Sequence, residues 1–87
     1  QAILNAVDFG MNASDAVSAP RCCTTSDTIE LTNRVLRGTE RALAARGYPT
    51  LRHPFSYMFP LVHAVRCVDG RLDGGADPAG DGMALSV

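Results

Sequence analysis

The sequence contains no lysine. All eight of its cations are arginine, and with its abundant alanine this is the composition of a GC-rich, bacterial genome. It has no basic stripe either. A formal net charge of −1 argues against nucleic acid or an anionic membrane as a partner. Long apolar runs are missing: the longest are broken by Pro60 and His63 and fall far short of a membrane span. No basic start followed by an apolar core opens the chain, so no secretory signal is read there, and the compartment stays unassigned. Gln1 stands in place of a start methionine, which reads as a processed chain or a fragment. Cysteine is scarce and odd in number. No pairing uses all of Cys22, Cys23 and Cys67, and a bridge between the adjacent two is strained. A secreted disulfide framework is therefore not indicated. No internal repeat is present.

What is present is a short globular sequence. Eighty-seven residues allow one domain at most, and 46% hydrophobic with 20% charged residues excludes disorder. Residues 1–10 read as a helix with Ile3, Leu4, Val7 and Met11 on one buried stripe and Gly10 as its stop. Asn12 is placed to cap a second helix, with Asp15 at its third position and Ala16 and Val17 on its apolar side. Pro20 ends it. "DTIEL", residues 27–31, has the β-branched content of a strand. Residues 35–46 read as a helix carrying Leu36, Thr39 or Glu40, and Leu43 on one side. Arg46 lies in its last turn and Gly47 terminates it. "YPTLRH" suits a short edge strand, since Pro49 cannot donate to a ladder. "LVHAVRCV", residues 61–68, is the strongest strand. Its two mostly apolar faces suit an interior position in a covered sheet. Asp69-Gly70 is a hairpin turn, with residues 71–76 returning as the partner strand. From Asp77 the Gly-, Asp- and Ala-rich sequence reads as a tail, flexible over residues 79–87.

Each chemistry-bearing residue has a structural explanation beside the functional one. Cys22 and Cys23 with His53 or His63 invite a metal or thiol site, but structural zinc takes separated ligand pairs. Cys67 reads as a small core residue and His63 as a packed histidine with its hydrogen bond satisfied. A cysteine nucleophile needs a base in reach, and none is visible. Thr24 or Thr25 would serve as an amino-terminal nucleophile only after cleavage before it. Asn12-Ala13-Ser14 matches a glycosylation acceptor, yet a helix cap explains it. Asp69, Asp73, Asp77 and Asp81 recur every four residues, which is not the spacing of a calcium loop, and they read as solvated turn residues. "GGADPAGDG" lacks the Lys-Ser/Thr ending of a phosphate loop. No catalytic, substrate-binding or metal-ligating residue is assigned, and no cofactor.

The order of motifs carries more. Asp8-Phe9-Gly10-Met11-Asn12 ends the first helix. Ala16-Val17-Ser18-Ala19-Pro20-Arg21 follows. Arg46-Gly47 closes the third helix, and Asp69 to Pro78 forms a D-G-x-L-x-G-G-x-D-P hairpin after the long strand. In this order and spacing, across nearly the whole chain, they resemble the end of the small subunit of the γ-glutamyltranspeptidase family. The resemblance implies an α+β segment, the C-terminal portion of an αββα amino-terminal nucleophile hydrolase sandwich, incomplete alone. Residues 1–87 form a single such segment. It further implies an enzyme that cuts itself to expose a threonine, which attacks γ-glutamyl amides of the glutathione type. That threonine, the glutamate-binding residues and a Gly-Gly oxyanion pair all precede Gln1 in the family pattern. This chain then supplies scaffold. Its partners are the large subunit, the rest of the small subunit and a small γ-glutamyl substrate. The family is often periplasmic or secreted in bacteria.

Two stretches depart from the pattern. "CCTTSD" stands where many members are aromatic and histidine-rich, and "HPFSYMFPL" where they are small and glycine-containing. These departures keep open a same-fold acylase or biosynthetic amidohydrolase with another substrate. A small interaction module without catalysis is the third reading.

Overall fold

The computed structural model describes residues 1–55 and 59–85. They fall into two compact units, one of residues 1–19 and 60–87, the other of residues 20–59. No helix among the described residues is long and apolar enough to cross a membrane.

The first unit contains helices α1 (Ala2–Val7) and α2 (Ala13–Ser18) and strands β4 (Ala64–Val68) and β5 (Arg71–Gly75). The Asn12 side chain accepts from the Asp15 amide at 2.8 Å, as its capping position predicts. Ala19, held extended before Pro20, closes α2. Strands β4 and β5 pair antiparallel from Ala64↔Gly75 to Val68↔Arg71. The two residues between them, Asp69 and Gly70, both have positive φ, at 53° and 76°. That is the type I′ geometry whose twist matches a hairpin.

Helix α2 packs on β5 and β4. Its inward side chains, Ala13, Ala16 and Val17, are buried. The helix comes so close because β5 ends in glycine. A Cβ on Gly75 would lie 2.6 Å from the Ala13 carbonyl oxygen and 2.6 Å from the Ser14 Cα. Those are backbone atoms of the helix start, with no rotamer to give way.

The opposite face of the hairpin is different. Val65 and Gly74 lie across from each other there, as do Cys67 and Leu72. Val65 and Leu72 are 76% and 73% exposed, and Cys67 is exposed. The expectation of a strand covered on both faces, with Cys67 in a core, is not met among the described residues. Helix α1 also departs from expectation. It turns Ala2, Asn5 and Ala6 inward, with the Asn5 amide donating to the Ala16 carbonyl at 3.2 Å. The stripe of Ile3, Leu4 and Val7 faces outward, at 78%, 54% and 75% exposure. Small residues and one amide fit the close crossing of two short helices, so the large side chains are left on the far side.

Strand β4 begins at Ala64 and not at Leu61 because the chain before it is held otherwise. The Val62 amide donates to the Asp77 carboxylate at 3.0 Å, where a strand carbonyl would stand in a longer ladder.

The second unit contains strands β1 (Cys22–Cys23), β2 (Ile29–Leu31) and β3 (Thr50–Arg52) and helix α3 (Arg37–Ala45). The sheet order is β1-β2-β3, antiparallel then parallel. Strand β3 is an edge, as Pro49 suggested. The crossover from β2 to β3 runs through α3, which is what a parallel pair requires. Gly47 has φ 87° and its amide meets the Ala44 carbonyl, while the Tyr48 amide meets Leu43. Those two bonds are a Schellman stop. The helix starts at Arg37, two residues later than its pattern predicts, because the Val35 amide is taken by the Thr32 carbonyl in a turn and Leu36 is extended.

The two glycine environments predict opposite responses to the same substitution. Gly75→Ala lowers stability by about 1–3 kcal/mol, the cost of forcing a methyl group into a packed contact. Gly38→Ala, in the first turn of α3, meets no atom nearer than 4.0 Å. It raises stability by about 0.4–1 kcal/mol. Urea unfolding of the two variants checks the pair; equal midpoints would contradict the packing described.

Candidate functional site

The densest polar structure in the first unit surrounds the β4–β5 hairpin. Asp73, in the middle of β5, lies opposite Arg66. Its Oδ1 accepts from Arg66 Nε at 2.9 Å and its Oδ2 accepts from the Ala13 amide at 2.9 Å. One carboxylate thus joins both strands to the first residue of α2. It also meets one of the free amides and the positive end of that helix. The Arg66 hydrogen bond, then the Ala13 amide, hold the Asp73 carboxyl below its ordinary value, against a smaller opposing effect of burial.

Asp77 follows two residues after β5 and is 2% exposed. Its Oδ1 accepts from the Ala79 amide and its Oδ2 from the Val62 amide, each at 3.0 Å. The Gly80 amide returns to the Asp77 carbonyl at 3.1 Å. Asp-Pro-Ala-Gly is therefore a β-turn with Pro78 at its second position and an Asx hydrogen bond inside it. The Asp77 amide donates to His63 Nδ1 at 3.3 Å. His63 is exposed, and its expected hydrogen bond is present.

The reading of four solvated aspartates is corrected here. Asp69 and Asp81 are exposed, as read; Asp73 is half-buried and Asp77 is buried. The sequence held a signal for this. Asp-Pro after a Gly-Gly pair is a turn whose aspartate can cap its own backbone, and a turn closing against a strand buries that cap.

In the second unit, Arg52 is the organising cation. Its Nε and Nη2 reach Glu40 Oε2 at 2.8 and 2.6 Å, tying β3 to α3. Its Nη1 donates to the Asn33 carbonyl at 3.2 Å. His53 pairs with Glu30 at 3.0 Å and sets its ring edge-on to Phe59. Thr32, buried, exchanges bonds with Arg21: the Thr32 amide donates to the Arg21 carbonyl, and the Arg21 amide donates to Thr32 Oγ1.

The weighed cysteine sites fare differently. Cys22 and Cys23 are neighbours on β1, so their side chains leave opposite faces of the sheet. Cys23 lies across from Glu30, and it is Glu30 that His53 engages. Among the described residues, no three of His, Cys, Asp and Glu gather as a metal would require. Thr24 and Thr25 lie in the β1–β2 connection, where their amides are peptide nitrogens. Asn12 uses its side chain as a helix cap.

These carboxylates spend their lone pairs on backbone amides and guanidinium groups. That is the chemistry of holding a backbone in register. A strand pair with helix on one face and apolar side chains on the other is one α layer and one β layer of a sandwich. The fold is α+β, a portion of the αββα sandwich of the amino-terminal nucleophile hydrolases.

The sequence profile described as Gamma-glutamyltranspeptidase matches residues 1–87, and the chain belongs to the γ-glutamyltranspeptidase family. A γ-glutamyltranspeptidase from Pseudomonas nitroreducens, solved with L-DON, is 25% identical over 100% of this chain, with a TM-score of 0.80. An acivicin-inhibited γ-glutamyltranspeptidase, whose structure is described as revealing critical roles for its C-terminus in autoprocessing and catalysis, is 27% identical over 93% of this chain, with a TM-score of 0.78. A cephalosporin acylase from Bacillus halodurans is 27% identical over 95% of this chain, with a TM-score of 0.86. The chain spans 47%, 45% and 16% of these three solved chains, respectively. No match was found among curated protein sequences.

Two substitutions test the polar anchors. Because the native Asp73 carboxyl titrates below the ordinary 3.8, its bonds stabilise the fold above that pH and fade as acid protonates it. Asp73→Asn therefore lowers the melting temperature at neutral pH, and its deficit shrinks as the pH falls toward 3. A deficit independent of pH would contradict the ionised pairing. Arg52→Lys keeps the charge but not the planar fork, and costs about 1–3 kcal/mol in denaturant titrations. A cost near zero would show that the Glu40 and Asn33 contacts do not hold β3 in place.

Proposed function

We propose that this chain is the C-terminal structural segment of a γ-glutamyltranspeptidase-like enzyme. In this reading residues 1–87 are one segment of the nucleophile-bearing subunit, and the remainder of the same enzyme is their partner. The enzyme would hydrolyse or transfer γ-glutamyl amides through an amino-terminal threonine outside this chain. Its hydroxyl attacks the amide carbonyl, with the free α-amine of the same threonine as base. A backbone Gly-Gly pair, also outside the chain, steadies the oxyanion. The acyl group then passes to water or to an acceptor amine.

The observation that carries the scaffold role is the exposed apolar face of the β4–β5 hairpin, opposite the face that α2 covers. Val65 and Leu72 alone would each gain about 1.5–3 kcal/mol from burial under a second layer. Half-length coverage of the solved relatives supports the same reading, since chain of similar size remains in them to provide that layer. The relative described by the role of its C-terminus in autoprocessing and catalysis supports a segment that matters to chemistry it does not perform.

A second reading has its own support in the cephalosporin acylase likeness, at a TM-score of 0.86. A sheet of this kind serves either enzyme. The substrate separates them. The whole enzyme is assayed on a γ-glutamyl anilide and on an anilide whose acyl chain lacks the α-amino and α-carboxyl groups. Preference for the first supports the transpeptidase reading; preference for the second supports the acylase.

The purified chain alone is expected to release no aniline from a γ-glutamyl anilide. Release at a rate like that of the whole enzyme would overturn the scaffold role.

A further inference from the structure

The segment after β5 is fastened back onto the hairpin at a titratable side chain. His63 Nδ1 accepts the Asp77 amide at 3.3 Å. Gly82 lies against the same ring: a Cβ there would come within 2.8 Å of His63 Cε1 and 3.3 Å of Nδ1. Gly74, on the hairpin face opposite α2, would bring a Cβ to 3.0 Å from the Ala84 Cβ. Residues 77–84 thus fold over the sheet, with His63 under the turn at one end and under Gly82 in the middle.

We propose that His63 is an acid-sensitive latch for residues 77–84, closed by the neutral imidazole and released by its protonation. The chemistry is that of an acceptor which can be switched off. Neutral imidazole offers one ring nitrogen as an acceptor; imidazolium has two donors and none. On protonation, an N–H at Nδ1 faces the Asp77 N–H, and the hydrogen bond is lost. Histidine is the side chain whose charge changes between pH 5 and 8.

The groups that face His63 bear on the outcome. Asp77 brings its carboxylate from the turn, engaged by the Val62 and Ala79 amides. Asp81 stands exposed beside Gly82. From the hairpin the same face presents Val65, Leu72, Gly74 and the thiol of Cys67. The tail residues Met83, Ala84 and Leu85 line the same cavity as His63. The latch does not depend on which amide the enzyme cleaves.

Amide hydrogen exchange in the whole enzyme tests it, with protection corrected for the intrinsic effect of pH. In the wild type, protection of residues 77–84 is expected to fall roughly two- to tenfold between pH 8 and pH 5, the worth of one hydrogen bond. Gly47 and Tyr48 donate to backbone carbonyls that do not titrate, and their protection stays level. In His63→Asn the side-chain oxygen stands where Nδ1 stood and accepts at every pH, so protection at 77–84 stays high and level. Level protection in the wild type would overturn the proposal without any variant. A fall of the same size in His63→Asn would also overturn it, since the change would then belong to another group, such as the Asp77 carboxyl.

Discussion

The seating of α2 on the end of the hairpin is the contact on which the first unit depends. It needs two things at once. Gly75 must have no side chain, because backbone of the helix start occupies the place of its Cβ. Asp73 must be ionised, because its carboxylate holds the first helical amide and Arg66 together. Ala13 is where both requirements meet. Its carbonyl touches Gly75 and its amide meets Asp73. With the helix fixed, Val17 is buried completely and Ala16 nearly so. The Asn5 bond to the Ala16 carbonyl then places α1. The close approach at Gly75, the Asp73 carboxylate and the Asn5 amide together set the positions of three elements.

The same contact accounts for the uneven surface of the unit. A helix that rides so low on a sheet covers only the face it touches. The other face keeps Val65, Leu72 and the Cys67 thiol in solvent, and α1 keeps Ile3, Leu4 and Val7 there. Isolated exposed apolar residues need no explanation, but contiguous ones mark a surface built to be covered. In a layered sandwich the second sheet lies on that face. Membership in the γ-glutamyltranspeptidase family and coverage of about half of the solved transpeptidase chains fit a segment whose complement lies elsewhere.

The local signals were legible in the sequence. Asn12, Pro20, Gly47 and Asp69-Gly70 each act through their own backbone or that of the next few residues, and each is found in the role its chemistry predicts. The ordered motifs around Ala19-Pro20-Arg21 and Asp77-Pro78 also pointed to the family. What was not legible depends on partners distant in sequence. Helix periodicity puts Ile3, Leu4 and Val7 on one face but cannot say what will lie against it. Strand alternation likewise groups Val65 with Cys67 without saying whether a layer covers them. Asp73 and Asp77 read as turn residues because their acceptance of Ala13, sixty residues away, and of Val62 appears only in the folded chain. Strand β1 was missed for the same reason: two cysteines form a strand only because β2 lies beside them.

In the proposed reading this segment completes a sandwich whose other layers lie outside it. Complementation measures it most directly. The protein that carries this segment is expressed truncated before Gln1, with the 87-residue chain supplied separately, and γ-glutamyl anilide turnover is followed. No turnover is expected from the truncated enzyme, with recovery when the chain is added. Full turnover by the truncated enzyme without the chain would contradict it.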